Sequence, residues 1–433
     1  MRRLCSWLVC LSVADLASME AFAQPLSSFN FAEIEIRGNA SLSDEEVASL
    51  CDITSTRNYN SSDLGNLVQC LGQTDRFSEV SLETEGRNLV VNVIEAPEFT
   101  GLLDISVSAD TDLGVGARLY IEDRDLFDMG VVGFAEMEAS REEKTVIMGL
   151  ANPSFMETAS TLGLSLRYSE VAYDDAAYQV RRLAVSPYLQ YPTSPNVSLT
   201  LSAGAQIDEL YNIDATASPI LLGEATRREL IFLRGTFSAT IQPDADLRTQ
   251  IGIDASQTFT WMDAEPHSSI TTARLRARTE LIPERLSFGL EIGGSHIESL
   301  GEESSLIIDR QFLGGRNLRG FAHRGIGPVD GEQFLGGNSS AYILVETDSP
   351  IADVQGVGLS GGVFANAGAV WNLDNTSGFI DPVDDNAQLR SAVGVALTAR
   401  FGELPLTAYY ARPLDKIDTD IVQEFGLAIS SKF

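Results

Sequence analysis

The dominant feature of the chain is an alternation of apolar residues with small or polar residues, repeated in short segments through residues 99–433. The segment 286–292, for example, reads LSFGLEI. Because successive side chains of a β-strand point to opposite faces, a period of two predicts strands with one apolar and one polar face. The polar face carries Gly, Ser, Thr, Arg and Glu, which suit a water-filled lumen better than a packed core. The pattern therefore favours a transmembrane β-barrel over a soluble β-sandwich.

Other segments with this alternation are separated by polar connections that contain glycine, and they lie at 114–121, 162–168, 197–203 and 395–401. After residue 23 the sequence has no apolar run of roughly 20 residues, which a transmembrane helix needs. In lipid every backbone N–H and C=O must be paired within the protein, and a closed barrel is the other structure that achieves this. If residues 99–433 supply about 16 strands, each strand with its connection has roughly 21 residues, a normal length for such barrels. We therefore expect a β-rich fold dominated by an antiparallel barrel of about 16 strands.

The charge of the chain argues against nucleic acid as a partner. The sequence has 61 acidic and 30 basic residues, which give a formal net charge of -31. A protein that binds phosphate groups needs a basic surface. Water-facing loops and a hydrated lumen give these carboxylates a natural place, while the lipid-facing side chains stay neutral.

Residues 1–23 have the composition of a secretory signal peptide. Two arginines follow the first residue, an apolar stretch covers 4–14, and the small-x-small triplet at 21–23 offers a cleavage site after Ala23. Asp15 and Glu20 are unusual so close to the apolar stretch. An uncleaved anchor or a misassigned start is therefore the alternative.

Residues 24–98 contain the signals of a small α+β domain. Alternating isoleucines and glutamates predict a strand over 31–37. Ser43 and Glu46 form a capping box that starts a helix, and apolar residues at helical spacing predict a second helix from Ser61 or Ser62. Two alternating segments around the turn at 85–88 predict a closing hairpin. The predicted order is β-α-α-β-β.

Cys51 and Cys70 lie at the ends of these two predicted helices, and they remain when the leader with the other two cysteines is removed. In an oxidising compartment they can pair. A bridge would close a loop of about 20 residues and stabilise so small a domain by about 3 kcal/mol. Two buried free thiols are the alternative, because the sequence does not fix the distance between the two Cα atoms.

Two segments carry a resemblance to a known family. RFSEV at 76–80, followed by Gly86 and by EAP at 95–97, resembles the end of a polypeptide-transport-associated (POTRA) domain, and the β-α-α-β-β order agrees. RQFLGGRNLRGF at 310–321 resembles the inward-folding loop of the BamA/TamA family of outer-membrane assembly proteins. Weaker matches to that family lie at 125–130, 152–155 and 364–368. The resemblance covers nearly the whole mature chain, and it implies a POTRA domain at 24–98 and a transmembrane barrel at 99–433.

The resemblance implies that Arg319 enters the lumen and pairs with carboxylates of nearby strands. A guanidinium can bridge two strands at once, which lysine does less well. Glu346 is the expected partner. Asn366 is a second expected partner, and it departs from the family, which usually has Asp there; the asparagine keeps an acceptor but lacks the negative charge. A Gly-Arg turn on an exposed loop is the alternative. The predicted loop motif comprises Gly314, Gly315, Leu318, Arg319, Gly320 and Phe321.

The last residues resemble the terminal targeting strand of outer-membrane barrels: Phe425, Leu427 and Ile429 alternate with small residues, and Phe433 is aromatic. To close the barrel, this strand must pair with the first barrel strand, expected around 102–110. Gly426 and the short apolar stretch predict a weak join. An open join would expose a strand edge to which a client strand adds by backbone hydrogen bonds. An ordinary last strand is the alternative.

We expect no catalytic residues, no metal and no cofactor. Residues 358–362 match the G-x-S-x-G pattern of serine hydrolases, but that motif needs a strand-to-helix turn and a later histidine. Here the pattern continues as a strand, and the histidines at 267, 296 and 323 all precede Ser360. They are too scattered for a metal site, and we interpret each as a loop or lumen residue.

The resemblance implies an outer-membrane protein whose POTRA domain lies in the periplasm. The expected function is to receive unfolded outer-membrane or secreted protein clients and to insert them into the membrane through a lateral seam of the barrel. Outer-membrane lipid and periplasmic accessory subunits are the other expected partners. A secretion pore of the two-partner type, which passes a protein through the lumen, is the first alternative, although such pores usually carry two POTRA domains and a plug helix. A passive porin or surface antigen is the second, and the POTRA domain argues against it.

Overall fold

The computed structural model describes residues 29–39, 42–72, 74, 76–95, 101–111, 114–126, 129–173, 176–194, 196–224, 227–243, 248–301, 303–379, 382–402 and 404–432. The predicted leader and Phe433 lie outside these residues. The chain divides into two compact units, 1–99 and 100–433.

The first unit has the β-α-α-β-β order that the sequence predicts, so this part of the predicted fold class is confirmed. Its elements are β1 (Glu33–Arg37), α1 (Asp44–Leu50), α2 (Ser61–Gly72), β2 (Phe77–Glu85) and β3 (Asn88–Glu95). Strand β3 lies between the other two, parallel to β1 and antiparallel to β2. The first strand is two residues shorter at its start than the alternation suggests.

Apolar residues of both helices and all three strands form the core of this unit, in which Val47, Leu71 and Leu89 are fully buried. The predicted capping box starts α1. The Ser43 backbone N–H donates to the Glu46 carboxylate at 2.8 Å, and the Glu46 N–H donates to the Ser43 hydroxyl at 3.3 Å. The hydrogen bonds from the backbone and hydroxyl of Ser43 lower the pKa of the Glu46 carboxyl.

A disulfide joins Cys51 and Cys70, whose Cα atoms lie 6.1 Å apart. Cys51 is the C-cap of α1 and Cys70 lies in the last turn of α2, so the bridge ties the two helices together. Because α1 has only seven residues, it is too short to be stable without tertiary contacts. The bridge provides one of them.

The second unit is a closed antiparallel barrel of 16 strands, as the sequence predicts. Its strands are β4 (Gly101–Asp110), β5 (Gly114–Asp123), β6 (Val132–Ala139), β7 (Glu143–Asn152), β8 (Thr161–Val171), β9 (Gln179–Ser194), β10 (Val197–Tyr211), β11 (Arg227–Ile241), β12 (Gln250–Met262), β13 (Glu265–Ile282), β14 (Leu286–Ser299), β18 (Ser339–Val354), β19 (Val357–Trp371), β20 (Arg390–Phe401), β21 (Leu404–Asp415) and β23 (Phe425–Lys432). Each strand pairs with its neighbours along the chain, and β23 pairs with β4 to complete the circle.

In their described parts, the connections contain four short strands and little helix. These elements are α3 (Pro219–Leu222), β15 (Gly320–Phe321), β16 (Val329–Asp330), β17 (Gln333–Phe334), β22 (Val422–Gln423) and a 3-10 turn at Phe155–Glu157. No helix among the described residues is long and apolar enough to cross a membrane.

Apolar side chains cover the outside of the barrel. Leu164 of β8 and Leu201 of β10 are about half exposed, as are similar residues around the ring. The positions between them point inward and are small, polar or charged. Some inward aromatic rings pack over a glycine of the neighbouring strand. The Phe134 ring of β6 lies over Gly149 of β7, where a Cβ would be only 2.6 Å from the ring. The two faces are those that the alternation predicts.

The two ends of the barrel differ. The four longest connections, 212–226, 300–338, 372–389 and 416–424, lie at one end together with 172–178, and this end is named here the loop end. Four of these five connections contribute apolar residues, among them Tyr178, Ile220, Leu335 and Leu373, to one buried cluster. The opposite end, where β4 begins, is named here the turn end.

Candidate functional site

The connection between β14 and β18 folds back into the barrel and is named here the infolded loop (300–338). Leu318, Phe321 and Ile326 of this loop are fully buried. They pack in one cluster with the wall residues Tyr342 and Val370. An exposed Gly-Arg turn, the alternative that the sequence leaves open, is therefore not the geometry of this loop.

Glycines at three motif positions allow the sharp path of the loop. Gly314, Gly315 and Gly320 all have positive φ, of 136°, 57° and 106°, a region that residues with a Cβ rarely adopt. At Gly314 a Cβ would also collide with the carbonyl oxygen of Ala322. The Gly315 N–H donates to the Phe321 carbonyl at 2.8 Å and closes the turn around Arg319.

The Arg319 side chain contacts the lumen wall at three strands, β18, β19 and β21. Its Nη2 lies 3.1 Å from Oε2 of Glu346. Its guanidinium also lies over the Phe364 ring, 4.8 Å from the centroid, and 5.7 Å from the centroid of Tyr409. The arginine is 18% exposed and Glu346 is 41% exposed, so the ion pair is partly hydrated, whereas the Phe364 ring is buried. The aromatic contacts therefore contribute a large part of the attachment.

Asn366 holds the backbone of the same residue. Its Nδ2 donates to the Arg319 carbonyl oxygen at 3.1 Å. Its Oδ1 is buried and has no hydrogen-bond donor among the described residues. The asparagine thus acts as a donor to the loop, whereas an aspartate at this position could only accept.

The infolded loop is also paired with the chain that leads into the last barrel strand. Strand β15 of the loop pairs with β22, with Gly320 opposite Gln423. The Ala322 N–H donates to the Ile421 carbonyl at 2.9 Å. Gln423 in turn donates through Nε2 to the Thr111 hydroxyl at 2.9 Å, and Thr111 follows directly on β4. The loop therefore pairs with the segment that leads into β23, and this segment in turn bonds the residue that follows β4.

The join between β23 and β4, named here the seam, is short. Five registered pairs connect the two strands, from Ala428 opposite Asp110 to Lys432 opposite Ser106. Strand β23 also has only five pairs with β21, over 425–429. Every other neighbouring pair in the described barrel has seven to fourteen. Only Ala428 and Ile429 are paired with both β21 and β4. The first part of β23 therefore pairs with β21 and its last part with β4.

Pro405 accounts for one end of this stagger. The register of β21 with β23 ends at Leu406 opposite Ile429, and Pro405 is the next residue in that direction. Proline has no backbone N–H to donate to a neighbouring strand. The pairing of β21 with β23 therefore ends before Pro405.

A model of the Omp85 superfamily domain matches residues 133–433. The chain belongs to the Omp85 superfamily. One curated relative, the outer membrane protein assembly factor BamA of Neorickettsia risticii (strain Illinois), is 20% identical over 410 residues, which are 92% of this chain and 55% of that protein. The Omp85 chain thus spans about half the length of this relative.

The solved structures that are similar to the Omp85 chain include the following two. BamA from Haemophilus ducreyi lacking POTRA domains 1-3 has a TM-score of 0.73 and 20% identity, over 94% of this chain and 85% of that chain. CdiB from Acinetobacter baumannii has a TM-score of 0.53 and 14% identity, over 94% and 74%. At these identities the likeness shows the fold alone. The BamA/TamA-like family that the loop motif predicts is confirmed by the family match.

Buried ion pairs fasten the rest of the infolded loop in this Omp85 barrel. Asp309 accepts from Arg228 of β11 at 2.5 Å and from Arg182 of β9 at 3.2 Å. The next residue, Arg310, donates at 2.7 Å to Glu224 of the connection 212–226. Because neighbouring residues of opposite charge have opposite partners, a shift of the loop by one residue would bring like charges together. The two pairs therefore fix the register of the loop.

The structure places the predicted residues Phe425, Gly426, Leu427 and Ile429 in β23, the first three in register with β21 alone. Phe425 and Leu427 are exposed on the outer face, and Gly426 is buried inside. The backbone of Ile429 is paired on both sides, and Phe433 lies outside the described residues. A Cβ at Gly426 would collide with the Tyr409 ring. The glycine therefore allows this ring to pack directly against the backbone of β23.

Sequence reasoning missed several residues of the site. Tyr409, the second ring under Arg319, sits in an ordinary alternating strand. The pairing partner β22 is only two residues long and has no sequence signal. Arg310 is the first residue of the segment 310–321 and Asp309 directly precedes it; neither was predicted to form an ion pair, although adjacent opposite charges could have been noticed. The structure places His296 on β14 opposite Ser339, on the face that carries Leu290 and Ile292, so its interpretation as a loop or lumen residue was wrong. No group of His, Cys, Asp and Glu in the described part could hold a metal ion.

Proposed function

We propose that this Omp85 protein inserts β-barrel clients into the outer membrane and that a client strand first adds to the edge of β4 at the seam. Residues 1–23 would direct export, 24–98 would form a periplasmic POTRA domain that receives clients, and 99–433 the barrel. The observation that carries the proposal is the register of the seam. Within the described residues, five registered pairs join β23 to β4, whereas neighbouring strands elsewhere in the barrel that do not involve β23 share seven to fourteen.

Backbone chemistry supports addition at this edge. A strand edge presents N–H and C=O groups that pair with any extended chain, so little side-chain identity is required of the client. The opening would need only the five pairs of the seam to part. A client that closes into its own barrel satisfies its backbone groups in lipid, which supplies the driving force without a nucleotide.

The proposal assigns the turn end of the barrel to the periplasm, because β4 begins there directly after residues 24–98. Unfolded outer-membrane proteins would be the clients, lipid the receiving medium, and accessory subunits would bind the POTRA domain. The loop end, with its buried cluster of apolar residues, would face outward.

A secretion pore that passes a client through the lumen is the second candidate. The likeness to CdiB favours it, as a likeness of fold. The infolded loop weighs against it, since Arg319, Asp309 and Arg310 fasten that loop to the wall and to a neighbouring connection. A client in the lumen would have to displace all of these contacts.

A disulfide across the seam tests the proposal. The variant S108C/S430C places cysteines at one registered pair of β4 and β23. The matched control S256C/T272C places them at a registered pair of β12 and β13, on the far side from the seam. Both proteins would be reconstituted full-length into vesicles, and folding of a urea-unfolded outer-membrane barrel would be followed by its heat-modifiable gel mobility.

We expect oxidised S108C/S430C to slow client folding strongly and reductant to restore it, with no effect in the control under either condition. Because reductant also opens the Cys51–Cys70 bridge, the control shows what that opening does alone. Equal rates for both oxidised variants would contradict the seam as the site. In cells, depletion that removes one secreted protein but leaves outer-membrane barrels at normal levels would favour the secretion pore.

A further inference from the structure

Inside the barrel, one part of the wall carries a row of inward arginines, named here the arginine track: Arg234, Arg274, Arg276 and Arg278. Arg276 and Arg278 line a lumen cavity of about 550 Å³ below Arg319. Arg234 and Arg274 line a second cavity of about 700 Å³ between the wall and the infolded loop. The track thus runs along β13 and β11 from the turn end toward the loop.

The charges of this track are only partly neutralised. Within the described residues, Arg278 and Arg234 have no carboxylate within 4.0 Å; Arg234 donates to the Thr258 hydroxyl at 3.0 Å. Arg276 pairs with Asp254 at 2.7 Å, but the two side chains are 56% and 43% exposed. Exposed pairs of this kind are worth little and exchange partners readily. The two cavities are lined by eight arginines and five carboxylates, so positive charge exceeds negative charge in their lining although the chain as a whole has a net charge of -31.

The remaining arginine, Arg274, is loosely held. Its Nε lies 3.6 Å from Oε1 of Glu291. The Tyr342 hydroxyl donates to the same Glu291 oxygen at 2.7 Å. That carboxylate therefore already has a good donor, and Arg274 is free to turn toward an anion in the cavity.

The spacing of the track fits an extended chain. Arg274, Arg276 and Arg278 occupy alternate positions of β13, so their Cα atoms follow one another at roughly 7 Å. An extended peptide presents the side chains of one face at the same interval. Carboxylates at alternate positions would therefore meet successive guanidinium groups, each of which can bind a carboxylate through two parallel N–H donors.

We propose that the arginine track binds an extended acidic peptide segment with carboxylates at alternate positions, which enters the lumen from the turn end. The site lies on the wall of β11 and β13, away from the seam between β23 and β4. It goes beyond the proposed function, because strand addition at the seam does not require an occupant in the lumen.

A fluorescein-labelled peptide with Asp at alternate positions and Ser between them is the probe, and the same peptide with Lys in place of Asp is its counterpart. Binding to the full-length protein in detergent would be measured by fluorescence anisotropy. The test variant R234Q/R278Q removes two arginines that have no ion pair, so it leaves no carboxylate without its partner. The control R181Q/R227Q removes the same charge from the outer face of β9 and β11, where both arginines are exposed.

We expect the Asp peptide to bind, the Lys peptide not to bind, and R234Q/R278Q to weaken binding roughly tenfold while R181Q/R227Q leaves it unchanged. Circular dichroism would establish that both variants keep the barrel. Equal binding by both peptides, or unchanged binding by R234Q/R278Q, would overturn the proposal. Binding of a small anion such as phosphate, without any binding of the Asp peptide, would also overturn the proposal. Client folding by R234Q/R278Q at the normal rate would show that this site and the proposed insertion function are separate.

Discussion

Gly320 of the infolded loop is paired with Gln423, two residues before the last barrel strand begins. The same Gln423 donates to Thr111 at the end of the first strand. A motif in a connection between β14 and β18 is therefore linked to the seam through Gln423, which lies just before β23 and bonds the residue that follows β4. We infer that the loop and the seam respond to each other, and that mutations in the loop will change the behaviour of the last strand.

Replacement of Arg319 is expected to release the loop. Arg319→Ala removes the contact with Glu346 and the contacts with two aromatic rings, and we expect a loss of about 2 kcal/mol in the free energy of unfolding. Arg319→Lys keeps the charge but not the flat surface that lies over the rings, so we expect an intermediate loss. Thermal unfolding and protease cleavage within 300–338 would measure both.

The matched control is Arg316→Ala, which removes an exposed arginine from the same loop. It should leave the unfolding temperature unchanged. If Arg319→Ala and Arg316→Ala behaved alike, the attachment of the loop would depend on its backbone and its ion pairs at Asp309 and Arg310 instead.

Replacement of Asn366 by the family residue is expected to weaken the loop in this chain. Asn366→Asp loses the only donor to the Arg319 carbonyl that this side chain provides, and it places a carboxylate where the side chain is 4% exposed. The loss of the hydrogen bond and the cost of burial should together destabilise the protein by about 1 to 3 kcal/mol. A denaturant unfolding curve would measure this. A rise in stability would instead mean that the Arg319 guanidinium turns from Glu346 to the new carboxylate.

The sequence predicted those parts of the fold that depend on local pattern. The period of two in LSFGLEI marks a strand whatever its partner, and the capping box at Ser43 and Glu46 marks a helix start, so the barrel and the element order of the first unit followed. The number of about 16 strands came from the length of 99–433 and not from any local pattern. The motif at 310–321 identified the loop and its arginine by resemblance.

The register of the seam could not be predicted in the same way. It depends on which residue of β23 lies opposite Ser106, and on Pro405 of a third strand, so no single segment contains the information. The role of Gly426 is of the same kind. From the sequence, Gly426 suggests only a weak strand. The structure shows that the Tyr409 ring occupies the position that a Cβ at residue 426 would take.

Removal of the disulfide is expected to destabilise the first unit without affecting the barrel. In the chain-entropy model, a bridge that closes a loop of about 20 residues is worth about 3 kcal/mol. We expect the variant C51S/C70S of the full chain to be cut rapidly by protease within 24–98, while the barrel stays intact. Wild-type protein in reductant should show the same cleavage pattern. Resistance equal to that of the oxidised protein would mean that the buried core around Val47 and Leu71 is sufficient.

Substitution of Gly426 is expected to disturb the seam through a single side chain. The Cβ of Gly426→Ala would collide with the Tyr409 ring, so either the ring leaves Arg319 or β23 moves from β21. We expect a loss of about 1 to 3 kcal/mol, as for overpacking of a core. In the Tyr409→Ala background the same substitution should cost little, because its obstacle is gone, and this difference gives the coupling energy between the two residues. The control Gly252→Ala, at an inward glycine whose nearest neighbours lie at 4.0 Å, should be tolerated in both backgrounds. Equal costs of Gly426→Ala with and without the Tyr409 ring would show that the strand itself, and not the seating of this ring, needs the glycine.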